Sequence, residues 1–286
     1  MLSKPRRGEP SEPRSGERGN TLEFGTSLFV SVHTTPKIRT LLFMKTAIVT
    51  GSSYGIGYSV TLKLLDEGYK VYGISRSETK IDNGNFVWLK CDLYNQEEIQ
   101  EATKLIKEQK IDLLINNAGT HFEEIGSDFS TDSFKKMFDL NFVAPILLSK
   151  HLANKLEDGT IINVSSTSDR FAEAGSGLYC ASKAALNMFF EAFSMENIGI
   201  KVIHLLPNYV DTPLQRSMKH DDDFDWGQCV TSDDVANTIS KITKDEIDLE
   251  TNTKVMVLNN KSLDATEDPE KLLFYNVDTN EVKKLK

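Results

Sequence analysis

Residues 45–57 read Lys-Thr-Ala-Ile-Val-Thr-Gly-Ser-Ser-Tyr-Gly-Ile-Gly. The first six are a short β-branched run. After the glycines comes an amphipathic helical pattern through Val60, Leu64 and Leu65 that stops at Gly68. Strand, glycine turn and helix in that order form a unit suited to holding a pyrophosphate. Gly51 permits the tight turn, Gly55 lets the pyrophosphate approach the backbone, and Gly57 lets helix pack on strand. Ser53, Tyr54 and Ile56 complete the turn and are expected beside the same ligand. The helix amino terminus points its free N–H groups at the phosphate charge. The spacing is GxxxGxG rather than GxGxxG, which narrows the kind of nucleotide fold.

Outward from this unit, strands alternate with helical segments. Lys70–Ile74 reads as a second strand ending at Ser75 and Arg76. In dinucleotide folds a carboxylate at this strand end holds the ribose hydroxyls, whereas an arginine accommodates a 2′-phosphate. The missing acid and the available guanidinium favour NADP(H) over NAD(H). A third strand, 85–90, ends at Cys91-Asp92-Leu93, where Asp92 either accepts from the adenine amino group or caps the helix that begins near Asn95 and runs to about Lys107. A fourth strand, 111–115, opens into Asn116-Asn117-Ala118-Gly119, small and amide residues suited to a wall against a planar ligand. Such alternation implies right-handed crossovers and a doubly wound, parallel α/β sheet of about seven strands in one domain.

The second half carries the chemistry. The run 160–165 ends in hydroxyls, with Ser166 at its mouth, and Tyr-Cys-Ala-Ser-Lys spans 179–183. On a helix, Tyr179 and Lys183 lie one turn apart on one face. A free tyrosine has a pKa of ~10, so trading protons near neutrality requires favouring the phenolate by about three units, roughly 4 kcal/mol. A neighbouring ammonium is expected to supply much of that. Between Ser133 and Leu156 the pattern is helical, with Phe134, Phe138 and Leu148 on one face, Asn141 at the same angular position and Pro145 loosening the helix one turn later. A core-facing amide costs a few kcal/mol unless its hydrogen bonds are met. The segment after Lys183 is densely apolar, which fits either a partner helix from another subunit or a deep core.

The motifs TGSSYGIG, CDL, NNAG, NVSS and YCASK, in this order over roughly residues 45–212, resemble the short-chain dehydrogenase/reductase family of NAD(P)-dependent oxidoreductases. The resemblance implies a Rossmann-type fold, with Ser166, Tyr179 and Lys183 as the catalytic serine, tyrosine and lysine. It also implies that Asn141 helps hold a relay water and that Asn117, Ala118 and Gly119 line the cofactor site. Lys183 would also bond the nicotinamide ribose beside Tyr179. Pro207, Val210 and Thr212 follow the sixth strand, 201–206, where the family places cofactor contacts; Asn208 stands in place of the family's glycine. Residues 214–230, with the acidic cluster Asp221–Asp223 and the aromatics Phe224 and Trp226, read as a mobile substrate lid. The family often forms homodimers or homotetramers.

Composition bounds the rest. The chain has 286 residues, 39% hydrophobic, enough for one large core. A net charge of −9 argues against a generic nucleic-acid surface. Cys91, Cys180 and Cys229 are widely spaced without a CxxC pair, the usage of a reduced, cytoplasmic protein without structural zinc. No apolar run reaches the ~20 residues needed to span a bilayer. Residues 1–43 read as a disordered leader, and Met44, immediately before the first strand, offers a second start for translation. The Rossmann-fold domain is expected over 44–258, with Thr231–Ile242 as a capped helix and Thr253–Leu258 as the seventh strand. Residues 259–286 replace the family's glycine-rich ending with a polar linker and a hairpin, 272–285, that needs something to pack on: the lid or a neighbouring subunit.

The expected activity is reduction of a ketone or aldehyde, with a β-ketoacyl thioester among the candidates, by NADPH with Tyr179 as general acid. The competing class is a non-catalytic NADP(H) sensor on the same fold, which would have no use for a proton donor. Epimerisation or dehydration would keep the same residues. His121, just past NNAG, stands near enough to touch substrate, although a loop histidine is more often solvated.

Overall fold

The computed structural model describes residues 44–218, 224–264 and 273–284. The leader 1–43 and the cluster Asp221–Asp223 lie outside them. Nine strands form one sheet: β1 (Thr46–Thr50), β2 (Lys70–Ser75), β3 (Phe86–Lys90), β4 (Leu113–Asn116), β5 (Thr160–Val164), β6 (Lys201–Pro207), β9 (Thr253–Leu258), β10 (Leu273–Asn276) and β11 (Glu281–Lys284). Their order is β3-β2-β1-β4-β5-β6-β9-β10-β11, parallel throughout except for the β10–β11 hairpin. β7 (Val210–Asp211) and β8 (Val230–Thr231) pair separately.

Strands such as β1 are buried along their whole length, as expected where helices cover both faces of a parallel sheet. On one face, Val60, Leu64 and Leu65 of α1 (Gly55–Asp66) share a core with Val235, Ile239 and Ile242 of α7 (Ser232–Thr243). Thr231 and Asp234 close a reciprocal capping box at the start of α7. On the other face α2 (Gln96–Leu105), α4 (Ala144–Leu152) and α5 (Gly177–Glu196) contribute Ile99, Leu148, Leu186 and Phe190. Phe189 and Phe193 pack against this core and stack with Phe190, so the phenylalanines of α5 are largely spent inside the chain. Met188, 65% exposed, is not.

The expected helix over 133–156 is interrupted. It starts as α3 (Thr131–Phe138), passes through a π-turn at Asp139–Val143, and resumes as α4 with Pro145 in its first turn. Met137 rather than Phe134 points inward one turn ahead of Asn141; Phe134 is exposed. Pro145 loosens the helix as expected, because it has no N–H to give the carbonyl of Asn141 four residues earlier.

The tail hairpin forms, and within the chain it packs on the main sheet rather than on the lid. It extends the main sheet from seven strands to nine, with β10 parallel to β9. Phe274 buries into one face beside Met256 and Leu258, and Tyr275 into the other. Each side chain contributes ~2 kcal/mol of burial free energy, which is what an isolated hairpin lacks. The turn is closed by Asn280, whose Oδ1 accepts from Tyr275 Oη (2.7 Å) and Lys241 Nζ (2.8 Å).

Candidate active site

One cavity of about 410 Å3 runs along the carboxyl ends of β1, β2, β4, β5 and β6. A crevice outside the strand ends is where open α/β sheets take ligands. All the sequence-predicted cofactor residues line it apart from Gly57, which lies beneath its floor. Gly51 and Gly55 have φ of +68° and +59°. A Cβ on Gly57 would lie 2.2 Å from Gly51 O and 2.5 Å from Asn117 Nδ2, so α1 can approach the β1 turn only without a side chain there. Tyr54, at the N-cap, gives no side-chain hydrogen bond, and the first turn of α1 holds no acid. Its N–H groups are left for an anion.

The wall opposite is pinned by Thr50. Its Oγ1 accepts from Asn117 N (2.9 Å) and Ala118 N (3.0 Å), and its carbonyl accepts from Asn117 Nδ2 (2.9 Å). Asn116 Nδ2 donates to Asn163 Oδ1 (2.9 Å), tying β4 to β5. These amides do fix neighbouring strands, as their type suggested.

At the adenine end the predicted residues separate. Ser75 lines the cavity, but its hydroxyl is engaged: it donates to Ser77 O (2.8 Å) and accepts from Trp88 Nε1 (3.1 Å). Arg76 is exposed, with its guanidinium 5.6 Å from the centre of the Tyr94 ring. The cap of α2 is Asn95, not Asp92; Asp92 Oδ1 accepts from Tyr94 N (3.1 Å). At the far end Thr212 caps the short helix α6 (Pro213–Ser217) through Gln215 N (3.2 Å). Asn208 has no positive φ, so the family's glycine is not needed for the backbone path here.

Lys183 and Gly119 line the cavity, with Asn141 packed behind them. Lys183 is 4% exposed and its Nζ donates to Val164 O (2.9 Å). A Cβ on Gly119 would lie 3.3 Å from Asn141 Oδ1 and 3.6 Å from Lys183 Nζ. The side chain of Asn141 is saturated: Oδ1 accepts from Thr120 N (2.8 Å), and Nδ2 donates to Thr120 O (2.9 Å) and Ser182 Oγ (3.0 Å). Pro145, four residues on, has no N–H to give to the main-chain carbonyl of Asn141.

Burial pushes Tyr179 up to about 12, with the hydrogen bond from Ser166 drawing it back and the charge of Glu173 adding to the rise. In this arrangement Lys183 is not among the groups that move the Tyr179 phenol. Lys183 Nζ is turned to Val164 O, 5.7 Å from the Tyr179 ring centre, and burial brings Lys183 itself down to about 8 against the opposing pull of Asp169. Ser166 Oγ donates to Ser168 Oγ (3.1 Å).

His121 is half-buried at the cavity wall. Its ring lies edge-on to Tyr179 at 4.7 Å, Nε2 meets Ser176 Oγ (3.1 Å), and Nδ1 has no partner. Glu173, which sequence reasoning missed, also lines this end; no spacing marks it. The lid's described part is α6, Phe224 and a 3-10 turn at Trp226–Gln228, closed at its base by β7–β8. Arg216 pairs with Asp211 through two bonds (2.6 and 2.7 Å) and stacks 4.8 Å over Trp226.

The family model for short chain dehydrogenases matches residues 45–223. The chain belongs to the short-chain dehydrogenase family. It is an oxidoreductase of that family, with the Rossmann-like, mostly parallel sheet of its structural neighbours. The benzil reductase ((S)-benzoin forming) of Bacillus subtilis is 31% identical over 189 residues, covering 60% of this chain and 77% of that one. Among solved structures, an alcohol dehydrogenase from Thermococcus sibiricus complexed with 5-hydroxy-NADP superposes with a TM-score of 0.67 at 21% identity, over 76% of this chain and 97% of that one. A 3-ketoacyl-(acyl-carrier-protein) reductase from Brucella melitensis complexed with NADH gives 0.68 at 21%, over 75% and 96%. Among the described residues no helix is long and apolar enough to cross a membrane.

Proposed function

We propose that this protein is an NADPH-dependent carbonyl reductase in which Tyr179 protonates the carbonyl oxygen of a ketone or aldehyde. The observation that carries this is the convergence of Tyr179, Ser166 and Lys183 on one cavity, with Asn141 packed behind Lys183. The glycine cradle, the uncapped amino terminus of α1 and the Thr50-pinned wall fit a dinucleotide. Gly51, Gly55 and the N–H groups of α1 would hold its pyrophosphate, Asp92 and Leu93 its adenine, and Thr212 with Lys183 its nicotinamide end. When bound, NADPH supplies the reducing equivalent to the carbonyl carbon.

The chain's own residues handle the oxygen. Ser166 Oγ, rotating its hydrogen from Ser168, orients the carbonyl oxygen towards Tyr179. With its pKa near 12 the phenol is protonated at neutral pH and serves as the acid. As its proton leaves, the ammonium of Lys183 offsets the phenolate charge, and that interaction is strengthened because Lys183 is buried and Tyr179 half-buried. The main-chain carbonyl of Asn141 anchors the route by which protons return. Arg76, with no acid at the end of β2, favours the 2′-phosphate of NADPH over NADH.

His121 Nδ1 and Glu173 give the substrate end hydrogen-bonding groups beside Tyr179, which suits an uncharged carbonyl compound with a second oxygen. The diketone named for the Bacillus relative is of that kind. We further place the catalytic domain at 44–258 and read the enzyme as a cytoplasmic homodimer or homotetramer, to be checked by sedimentation. The test of function is NADPH consumption over a panel of ketones, aldehydes, diketones and β-ketoacyl thioesters. Tyr179→Phe should lose at least 100-fold in kcat while NADPH affinity stays within threefold. Full activity in that variant would refute the mechanism.

A further inference from the structure

Tyr179, Lys183 and Asn187 follow one another at intervals of four along a single stripe of α5. The second and third are each bonded to the end of β5. Lys183 Nζ takes Val164 O, and Asn187 Nδ2 takes the next residue, donating to Ser165 Oγ at 3.0 Å. Asn187 Nδ2 also donates to Asp169 Oδ2 at 2.7 Å. Ser165 and Asp169 flank Ser166, whose turn is closed by Asp169 N→Ser166 O (3.1 Å) and Ser168 N→Ser166 Oγ (3.2 Å). Asn187 is 1% exposed and Asp169 is enclosed with it. One buried amide thus grips both ends of the segment that carries Ser166, from the helix that carries Tyr179.

We propose that Asn187 is a positioning residue that sets the distance between the Ser166 hydroxyl and the Tyr179 phenol by clamping Ser165 and Asp169 to α5. This rests on the reading of Ser166 and Tyr179 as the oxygen-handling pair. An amide suits the task because its NH2 group gives two protons to two acceptors at once, one a hydroxyl and one a carboxylate. An aspartate there would set two carboxylates together, and a leucine would fill the space without donating. Asp169 keeps other partners, Arg170 at 3.6 Å and Lys254 at 3.8 Å, so removing the amide loosens the turn without leaving the carboxylate alone.

Displacing a reacting group by about 1 Å can cost about 100-fold in rate. Asn187→Leu is therefore expected to lose 10- to 100-fold in kcat, with KM changed less than threefold and NADPH affinity unchanged. Asp169→Asn retains an acceptor for Asn187 and should keep at least half of wild-type kcat; Asp169→Leu should behave like Asn187→Leu. Ser194→Ala, which removes a buried bond to Asn252 Oδ1 (2.9 Å) further along the same helix, is the control for lost stability and should leave kcat intact. Amide hydrogen exchange over 165–170 supplies a readout free of turnover: protection should fall at least tenfold in Asn187→Leu and Asp169→Leu, and stay put in Ser194→Ala. Unchanged kcat in Asn187→Leu, a parallel loss of NADPH affinity, or unchanged exchange would each overturn the proposal. Absence of Tyr179-dependent turnover in the wild type would instead refute the proposed mechanism, and the exchange data would still decide whether the clamp exists.

Discussion

His204 lies in β6 at 0% exposure, and neither of its ring nitrogens has a partner. Its in-register neighbours are Asn163 on β5 and Lys254 on β9, and Lys254 also approaches Glu191 of α5 (2.8 Å) and Asp169 (3.8 Å). Burial, joined by the positive charges of Lys254 and Arg170, pushes its pKa down to about 3 from 6.5. Between those values the unfolded chain binds a proton that the native protein refuses, so stability falls as the pH falls from 6.5 towards 3. At ~1.4 kcal/mol per unit the loss is about 2 kcal/mol by pH 5 and rises towards about 5 kcal/mol below pH 3. Asp169, whose carboxyl burial pushes up, works in the opposite direction and softens the net slope. His204→Leu removes the titration along with two unsatisfied nitrogens. The measurement is urea unfolding of both proteins at pH 7.5 and pH 5.0. At pH 7.5 the variant should be at least as stable as the wild type, because an apolar side chain of suitable shape replaces an unpaired polar ring. On moving to pH 5.0 the wild type should lose about 2 kcal/mol more than the variant. Equal losses would show that the imidazole is hydrated or partnered in solution, and the reasoning would fail.

Other expectations follow from the site. Gly57→Ala should lower stability by about 1–3 kcal/mol and weaken NADPH binding at least tenfold in a calorimetric titration, since its Cβ meets main chain at 2.2 Å. Gly68→Ala, with φ of +82° and nothing within 4 Å, should cost only the ~1 kcal/mol of a left-handed residue and leave NADPH binding alone. Arg76→Ala should weaken NADPH by roughly 10- to 100-fold and NADH hardly at all; equal losses would remove the assignment of the 2′-phosphate. Asn259 Nδ2 donates to Gly227 O (3.1 Å) and Cys229 O (3.3 Å), and Lys261 pairs with Asp225 (2.7 Å), so the tail holds one leg of the lid. Asn259→Ala combined with Lys261→Ala should raise KM for the carbonyl substrate several-fold without changing NADPH affinity, measured by steady-state kinetics and titration.

Much of this protein was written locally in the chain. Thr46–Thr50 with Gly51, Gly55 and Gly57 gave strand, turn and helix because β-branched runs and glycine spacing act over a few residues. The four-residue interval of Tyr179 and Lys183 likewise put them on one face of a helix. The in-order motifs brought Ser166, Asn117 and Gly119 to one crevice, since alternating strands and helices leave few topologies. What depended on distant partners was not legible. A hairpin pattern at 272–285 carries no information about the strand it joins, and only the free edge of β9 and the two core faces decide that β10 runs parallel to it. Neither the π-turn at Asp139–Val143 nor the exposure of Phe134, expected on the inward face, was marked by any spacing. Enclosure pushes the phenol of Tyr179 up and brings Lys183 down, with Asp169 opposing the latter, and the groups that enclose them come from distant parts of the chain. Sequence fixes which functional groups exist and which helix face they share. Burial and the direction of each hydrogen bond arise only when the chain closes on itself, and here those shape the surroundings of the proposed catalytic pair, Tyr179 and Lys183.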